Sequence, residues 1–131
     1  MIQFRFHKKA GPSKDMLLIA GSNEDIVSLH SFFVSWTGET SDLVAEMQKQ
    51  GKVHLDGVTA LQVRRDGKRE SFTWLVDSGV WSITQTRQAD LIDLLDGLLE
   101  AHNGGHQYLT DMNNGTVQII CSMGEYPLPE Q

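Results

Sequence analysis

The chain has 131 residues, with 17 acidic side chains against 11 Lys or Arg for a formal net charge of −6, 40% hydrophobic residues and a single cysteine. A chain of this length buries about two-thirds of its unfolded surface, so its core needs no disulfide or structural metal, and one cysteine excludes an internal disulfide. No apolar run approaches the roughly 20 residues of a membrane-spanning helix, and the N-terminus alternates like a strand without the apolar run of a signal peptide, so a cytoplasmic location is expected.

Ile2 to Lys8 alternates apolar and polar residues, and the turn-forming stretch Lys9 to Ser13 leads into the apolar run Met16 to Ala20; together they predict an N-terminal hairpin. Ser22 and Asp25 have the spacing of a capping box, so a helix is expected to start there. On its wheel Ile26, Val27, Leu29, His30, Phe32, Phe33, Val34 and Trp36 cover more than half the circumference, leaving Ser28, Ser31 and Ser35 as a narrow polar stripe. Such a helix should be buried on most sides, with an aromatic and β-branched end that favours extension. Ser41 to Gln50 is a second helical candidate, with Leu43, Val44 and Met47 on one side, Glu46 and Lys49 on the other, and Gly51 as its stop.

From Lys52 the pattern changes to short strands, Lys52–Leu55, Val58–Arg65, Glu70–Val76 and Val80–Thr86, separated by Asp56-Gly57, Asp66-Gly67 and Ser78-Gly79. Asp-Gly between alternating segments is a hairpin signal because a type I′ turn needs positive φ at both central residues, so an antiparallel meander is expected. Gln88 to His102 reads as an amphipathic helix. Leu91, Ile92, Leu94, Leu95, Leu98 and Leu99 share one arc, Asp90, Asp93, Asp96 and Glu100 the opposite one with Gly97 beside them, and Asn103-Gly104-Gly105 ends it. His106–Thr110 and Thr116–Met123 around Asn114-Gly115 make a closing hairpin. The expectation is one α+β domain over residues 1–126, a mostly antiparallel sheet with two or three helices packed on it, and a short tail at 127–131.

Phosphate-loop, dinucleotide, nucleophile-elbow and zinc-protease motifs are all absent, and no cofactor is expected. His102 and His106 are four apart, but Gly104-Gly105 breaks any helix that would hold both on one face, so no metal site is expected. If Asn114-Gly115 is a two-residue turn, Cys121 lies opposite Tyr108 with His106 a diagonal step away on the same face. That register also aligns Val117, Ile119, Cys121 and Met123 as a core-facing surface, where a thiol is inert; the structural reading of Cys121 outweighs a Cys–His nucleophile. Trp74 and Trp81 flank Asp77-Ser78-Gly79, and core packing is again the favoured role, exposure making either an interface anchor.

The charge is unevenly placed. Residues 1–65 carry +1 and residues 66–131 carry −7, and the local basic cluster Arg5, Lys8, Lys9 and Lys14 is too small for a nucleic-acid footprint. Asp90, Asp93, Asp96 and Glu100 repel one another along the expected helix, a small cost that a solvated face or a docking surface for a basic partner would explain.

The run Leu17-Leu18-Ile19-Ala20-Gly21-Ser22-Asn23-Glu24-Asp25 into a buried helix resembles the opening of small immunity proteins from bacterial polymorphic-toxin and contact-dependent inhibition systems. So does the C-terminal third, in which the Leu-rich helix from Asp90 to Leu99 leads to Gly105-His106-Gln107-Tyr108-Leu109 and the strand Val117-Gln118-Ile119-Ile120-Cys121-Ser122. The resemblance implies a non-enzymatic protein that binds and neutralises a toxin, often a basic nuclease, and it transfers no contact residues. From charge and exposure the expected contacts are Asp90, Asp93, Asp96 and Glu100. The competing expectation is a small-ligand or accessory domain with a pocket between the sheet and the aromatic helix at Phe32, Phe33 and Trp36, and a third is an enzyme using Cys121 and His106.

Overall fold

The computed structural model describes residues 1–7, 15–37, 43–57, 59–65, 69–74, 77–101, 105–109 and 117–124. Within them the chain forms β1 (Ile2–His7), β2 (Asp15–Gly21), α1 (Asn23–Ser35), α2 (Leu43–Lys49), β3 (Val53–Asp56), β4 (Ala60–Arg65), β5 (Ser71–Trp74), β6 (Ser78–Ile83), α3 (Gln85–Glu100), β7 (Gly105–Tyr108) and β8 (Val117–Met123). The class is α+β, with a five-stranded sheet ordered β3-β1-β2-β8-β7 and a three-stranded sheet ordered β4-β6-β5.

Both terminal hairpins form, β1 antiparallel to β2 and β7 antiparallel to β8. They are joined side by side, because β2 runs parallel to β8 with Leu17 opposite Ile119 and Ile19 opposite Cys121. Alternation places Ile2, Phe4, Leu17, Ile19, Val117, Ile119, Cys121 and Met123 on one buried face. That face shares its core with Ile26, Leu29 and Phe33 of α1, Leu91, Leu95 and Leu98 of α3, and Leu61, Val63, Trp81 and Ile83 of the smaller sheet.

The antiparallel meander does not form, and both sheets are mixed. Gly57 has the turn backbone that the Asp-Gly signal demands, with φ of 81°, and an added Cβ would lie 2.6 Å from the Phe6 carbonyl oxygen. Positive φ sets a change of direction, however, and not the partner of the next strand. β3 pairs in parallel with β1, Ile2 opposite Val53, and so belongs to the other sheet. β4 pairs in parallel with β6, and β5 lies antiparallel on the far side of β6. β6 takes the centre because Gly79, Trp81 and Ile83 are its buried face. Ser78-Gly79 is therefore strand and not turn, Gly79 standing opposite Leu61 on one side and Trp74 on the other. The expected turns at 9–13, Asp66-Gly67, Asn103-Gly104 and Asn114-Gly115, together with His102 and the 127–131 tail, lie outside the described residues.

α1 starts as its sequence requires. The Asp25 N–H donates to Ser22 Oγ at 3.2 Å, while the Ser22 N–H and hydroxyl each donate to Asp25 Oδ2 at 3.0 Å. The Met1 ammonium stands 2.9 Å from Asp25 Oδ1. Partial burial pushes the Asp25 carboxyl upward, but the bonds from Ser22 and from the ammonium outweigh it and hold the carboxyl below its ordinary value. A carboxylate depressed in the folded state stabilises above its unfolded pKa and loses that contribution as pH falls through the folded one. Asp25→Asn is therefore expected to remove about 1 kcal/mol at neutral pH and to flatten the loss of stability below about pH 4, read from urea unfolding at pH 7 and pH 3. An equal loss at both pH values would contradict the assignment.

The expectation that α1 is buried on most sides is corrected. Ile26, Leu29 and Phe33 are buried, but Val27 and Val34 are 45% and 57% exposed. Trp36, with ψ of 117°, ends the helix in the extended conformation its composition favours. α2 stops at Gly51, whose φ is 67°. α3 starts three residues earlier than the wheel suggests, because the Thr84 hydroxyl accepts from the Arg87 N–H at 3.0 Å and caps the helix.

Candidate functional site

Packing of α3 fixes where its acids point. Gln88, Leu91, Leu95 and Leu98 are its buried residues, so Asp90, Asp93, Asp96 and Glu100, on the opposite arc, are all exposed. The structure thus brings the four predicted acids together on one solvent face, with open space beside them at Gly97. Two details differ from the sequence reading. The earlier start brings Arg87 into the helix, but its Nε bonds Glu70 Oε1 at 3.2 Å and its Nη2 donates to the Leu109 carbonyl, so it leaves the acidic face uncompensated. Asp96 also differs from its neighbours, since its Oδ1 lies 2.7 Å from His30 Nε2 at the seam with α1.

The arrangement is unfavourable for the isolated helix. Like charges repeat at three- and four-residue spacing, and Glu100 sits in a last turn that has no basic residue to oppose the dipole. Nothing in the geometry makes these carboxylates a paired acid and base, and among the described residues no group of three or more His, Cys, Asp or Glu is placed to hold a metal ion.

The pocket expected at Phe32, Phe33 and Trp36 is not built from those three residues. Phe33 and Trp36 are 1% and 7% exposed and stack edge to face in the core, 6.3 Å between ring centroids. Phe32 alone lines an open groove of about 270 Å³, on the side where Ser28, Ser31 and Ser35 meet Lys52. The Lys52 ammonium sits 5.7 Å from the Phe32 ring centroid. A groove this small and open falls short of the roughly 300–1,000 Å³ typical of small-molecule sites.

The Cys121–His106 pair is also corrected. Cys121 stands opposite Gln107, and His106 opposite Ser122, one residue out of the expected register. A one-residue shift moves a side chain to the other face, so thiol and imidazole point to opposite sides of the sheet. Cys121 is fully buried among core residues, which pushes its thiol up to about 12 and leaves no thiolate for catalysis. Trp81 is buried too, its Nε1 donating to Glu70 Oε2 at 2.9 Å. Trp74 pairs with Gly79 in β5, and its side chain lies outside the description.

No family model, curated protein or solved structure matches this chain. The functional reading therefore rests on its own residues. Two polar elements escaped the sequence reading. Gln88, placed by the expected boundary at the helix edge, is buried and bonds the carbonyls of Phe33 and Trp36 at 2.6 and 2.9 Å. His30, counted as part of an apolar surface, is the group of α1 that touches the acidic face. A helix start at Thr84 would have revealed the first, since Gln88 then shares an arc with Leu91 and Leu95.

Proposed function

We propose that this chain is a non-enzymatic, acidic protein-binding domain that docks a basic partner on the exposed face of α3, in the manner of an immunity protein neutralising a toxin. The observation that carries the reading is the uncompensated run of Asp90, Asp93 and Glu100 on one exposed helix face, extended by Asp96, at a cost to the helix itself. Clustered charge of one sign raises the association rate with a partner of the other sign and rejects like-charged ones. The shortage of any catalytic constellation among the described residues adds nothing to this reading; the charge placement does. Among the described residues no helix is long and apolar enough to cross a membrane.

The test is a binding measurement with a basic toxin domain encoded beside the gene. Converting Asp90, Asp93 and Glu100 to lysine should slow association by about tenfold or more at low salt and remove most of its salt dependence. The same changes should leave the free protein as stable or slightly more stable, because they relieve repulsion on α3 and place a cation in its last turn. A complex indifferent to these substitutions and to salt would sink the assignment of the face. Asp96 is left in place because its contact with His30 ties it to the packing of α1.

A further inference from the structure

The groove beside α1 has an aromatic floor, a hydroxyl rim and one charge. Phe32 is the floor, a ring packed against the core with one side open. Ser28, Ser31 and Ser35 form the rim, and the exposed Val27 adds apolar surface next to the ring. The charge is Lys52, whose backbone is held on both sides: its N–H donates to the Met47 carbonyl at 3.2 Å, and its own carbonyl accepts from the Ile2 N–H at 2.9 Å. Its ammonium, 5.7 Å from the Phe32 centroid, makes no ion pair among the described residues. The lining thus holds one cation and no carboxylate, in a chain whose net charge is −6. The three hydroxyls are not equivalent. Ser35 Oγ donates to the Ser31 carbonyl at 3.0 Å and is spent on its own helix. Among the described residues the hydroxyls of Ser28 and Ser31 make no hydrogen bond, and each can both donate and accept.

We propose that this groove binds a short extended segment of a partner protein, with an acidic side chain at Lys52 and an apolar side chain, two residues away, on Phe32 and Val27. Charge selects the acid, because a carboxylate is the group that the lining lacks and its cation attracts. Spacing selects the pair. Alternate side chains of an extended chain share one side and stand about 6.6 Å apart, close to the 5.7 Å between the Lys52 ammonium and the Phe32 centroid. The backbone that joins them offers carbonyls and N–H groups to the hydroxyls of Ser28 and Ser31. An open groove of about 270 Å³ suits such an occupant better than a free metabolite, because it covers one side only and lets a chain run out at both ends. A phosphorylated side chain, with about two negative charges, would meet a single cation. None of the lining residues belongs to α3, so this site goes beyond the basic-partner reading and does not depend on it.

The test is an amide-shift titration of the full chain by nuclear magnetic resonance, with the acetylated peptide amides Leu-Ser-Glu, Leu-Ser-Gln and Leu-Glu-Ser as probes. Saturable shifts at Ser28, Ser31, Phe32 and Lys52 are expected with Leu-Ser-Glu, and each of the other two peptides should bind about fivefold more weakly or worse. Lys52→Gln should remove the preference for glutamate over glutamine, and Lys52→Glu should reverse it in favour of Leu-Ser-Lys. Lys52 is exposed, so both variants should keep the parent's Tm, which separates lost binding from lost folding. No saturable shift at these amides, or a glutamate preference that survives K52Q, would overturn the proposal. Isovalerate binding as tightly as the peptide would make this a small-acid site, and shifts of the same amides on dilution without peptide would make the occupant a second copy; either result overturns the assignment to a partner segment.

Discussion

Truncating Trp81 to alanine is expected to cost about 3–5 kcal/mol, a large share of the roughly 5–15 kcal/mol that holds a domain of this kind together. Among the described residues Trp81 is the largest fully buried side chain, and it sits in the central strand of the small sheet, opposite Val63 on one side and Phe72 on the other. Its removal opens a cavity where β4, β5 and β6 meet the main core. The indole also anchors a polar chain. Its Nε1 donates to Glu70, Glu70 accepts from the Arg87 guanidinium, and Arg87 reaches the carbonyl of Leu109, so one network ties β6, α3 and the end of β7. Trp81→Phe keeps most of the ring volume and deletes the donor, and should cost about 1–2 kcal/mol, because Glu70 retains Arg87. Urea unfolding followed by circular dichroism separates the two variants. A W81A protein within 1 kcal/mol of the parent would show that the small sheet is not packed on the core as described.

Gln88→Met is also expected to be strongly damaging, at about 2–4 kcal/mol. A helix leaves its last carbonyls without intrahelical partners, and at the end of α1 the carbonyls of Phe33 and of the capping residue Trp36 receive the two donors of one buried amide from α3. Gln88 Oε1 in turn accepts from Arg65 Nη1 at 2.9 Å, drawing β4 into the same junction. Methionine matches the length of the side chain and satisfies none of the three groups. Arg65→Met removes only the outer bond and should cost less, and the double variant should fall short of the sum because both changes share one interaction. Hydrogen exchange gives a local reading: amides in the last turn of α1 should lose protection in Q88M and keep it in R65M. Equal protection in both would contradict the junction.

What the sequence made legible divides by range. Ser22 and Asp25, Gly51, and the alternation of Val117, Ile119, Cys121 and Met123 are read correctly because their signals are local: a cap, a positive-φ stop, a period of two. The acidic face of α3 belongs with them, since helical geometry alone groups Asp90, Asp93, Asp96 and Glu100. Strand partnership is not local. Asp56-Gly57 is a real turn, yet the next strand pairs elsewhere because the open edge of β1 and the buried face of β6 compete for β3 and β4. The aromatic pocket failed for a related reason. The wheel of α1 is apolar nearly all round, so it does not say that Phe33 and Trp36 face the core while Val27 and Val34 face water.

The strand order carries a consequence for how the chain comes into being. β2 is flanked by β1, made only a few residues earlier, and by β8, the last strand of the fold. During synthesis the first hairpin therefore waits with the backbone donors and acceptors of one long side of β2 unpaired until nearly a hundred further residues have left the ribosome. Pairing across such a separation is slow, because the entropy of closing the loop is lost before the contacts are gained. The open edge of β2 is thus a strand edge that the nascent chain has to keep from pairing elsewhere, and the arrival of β8 closes it.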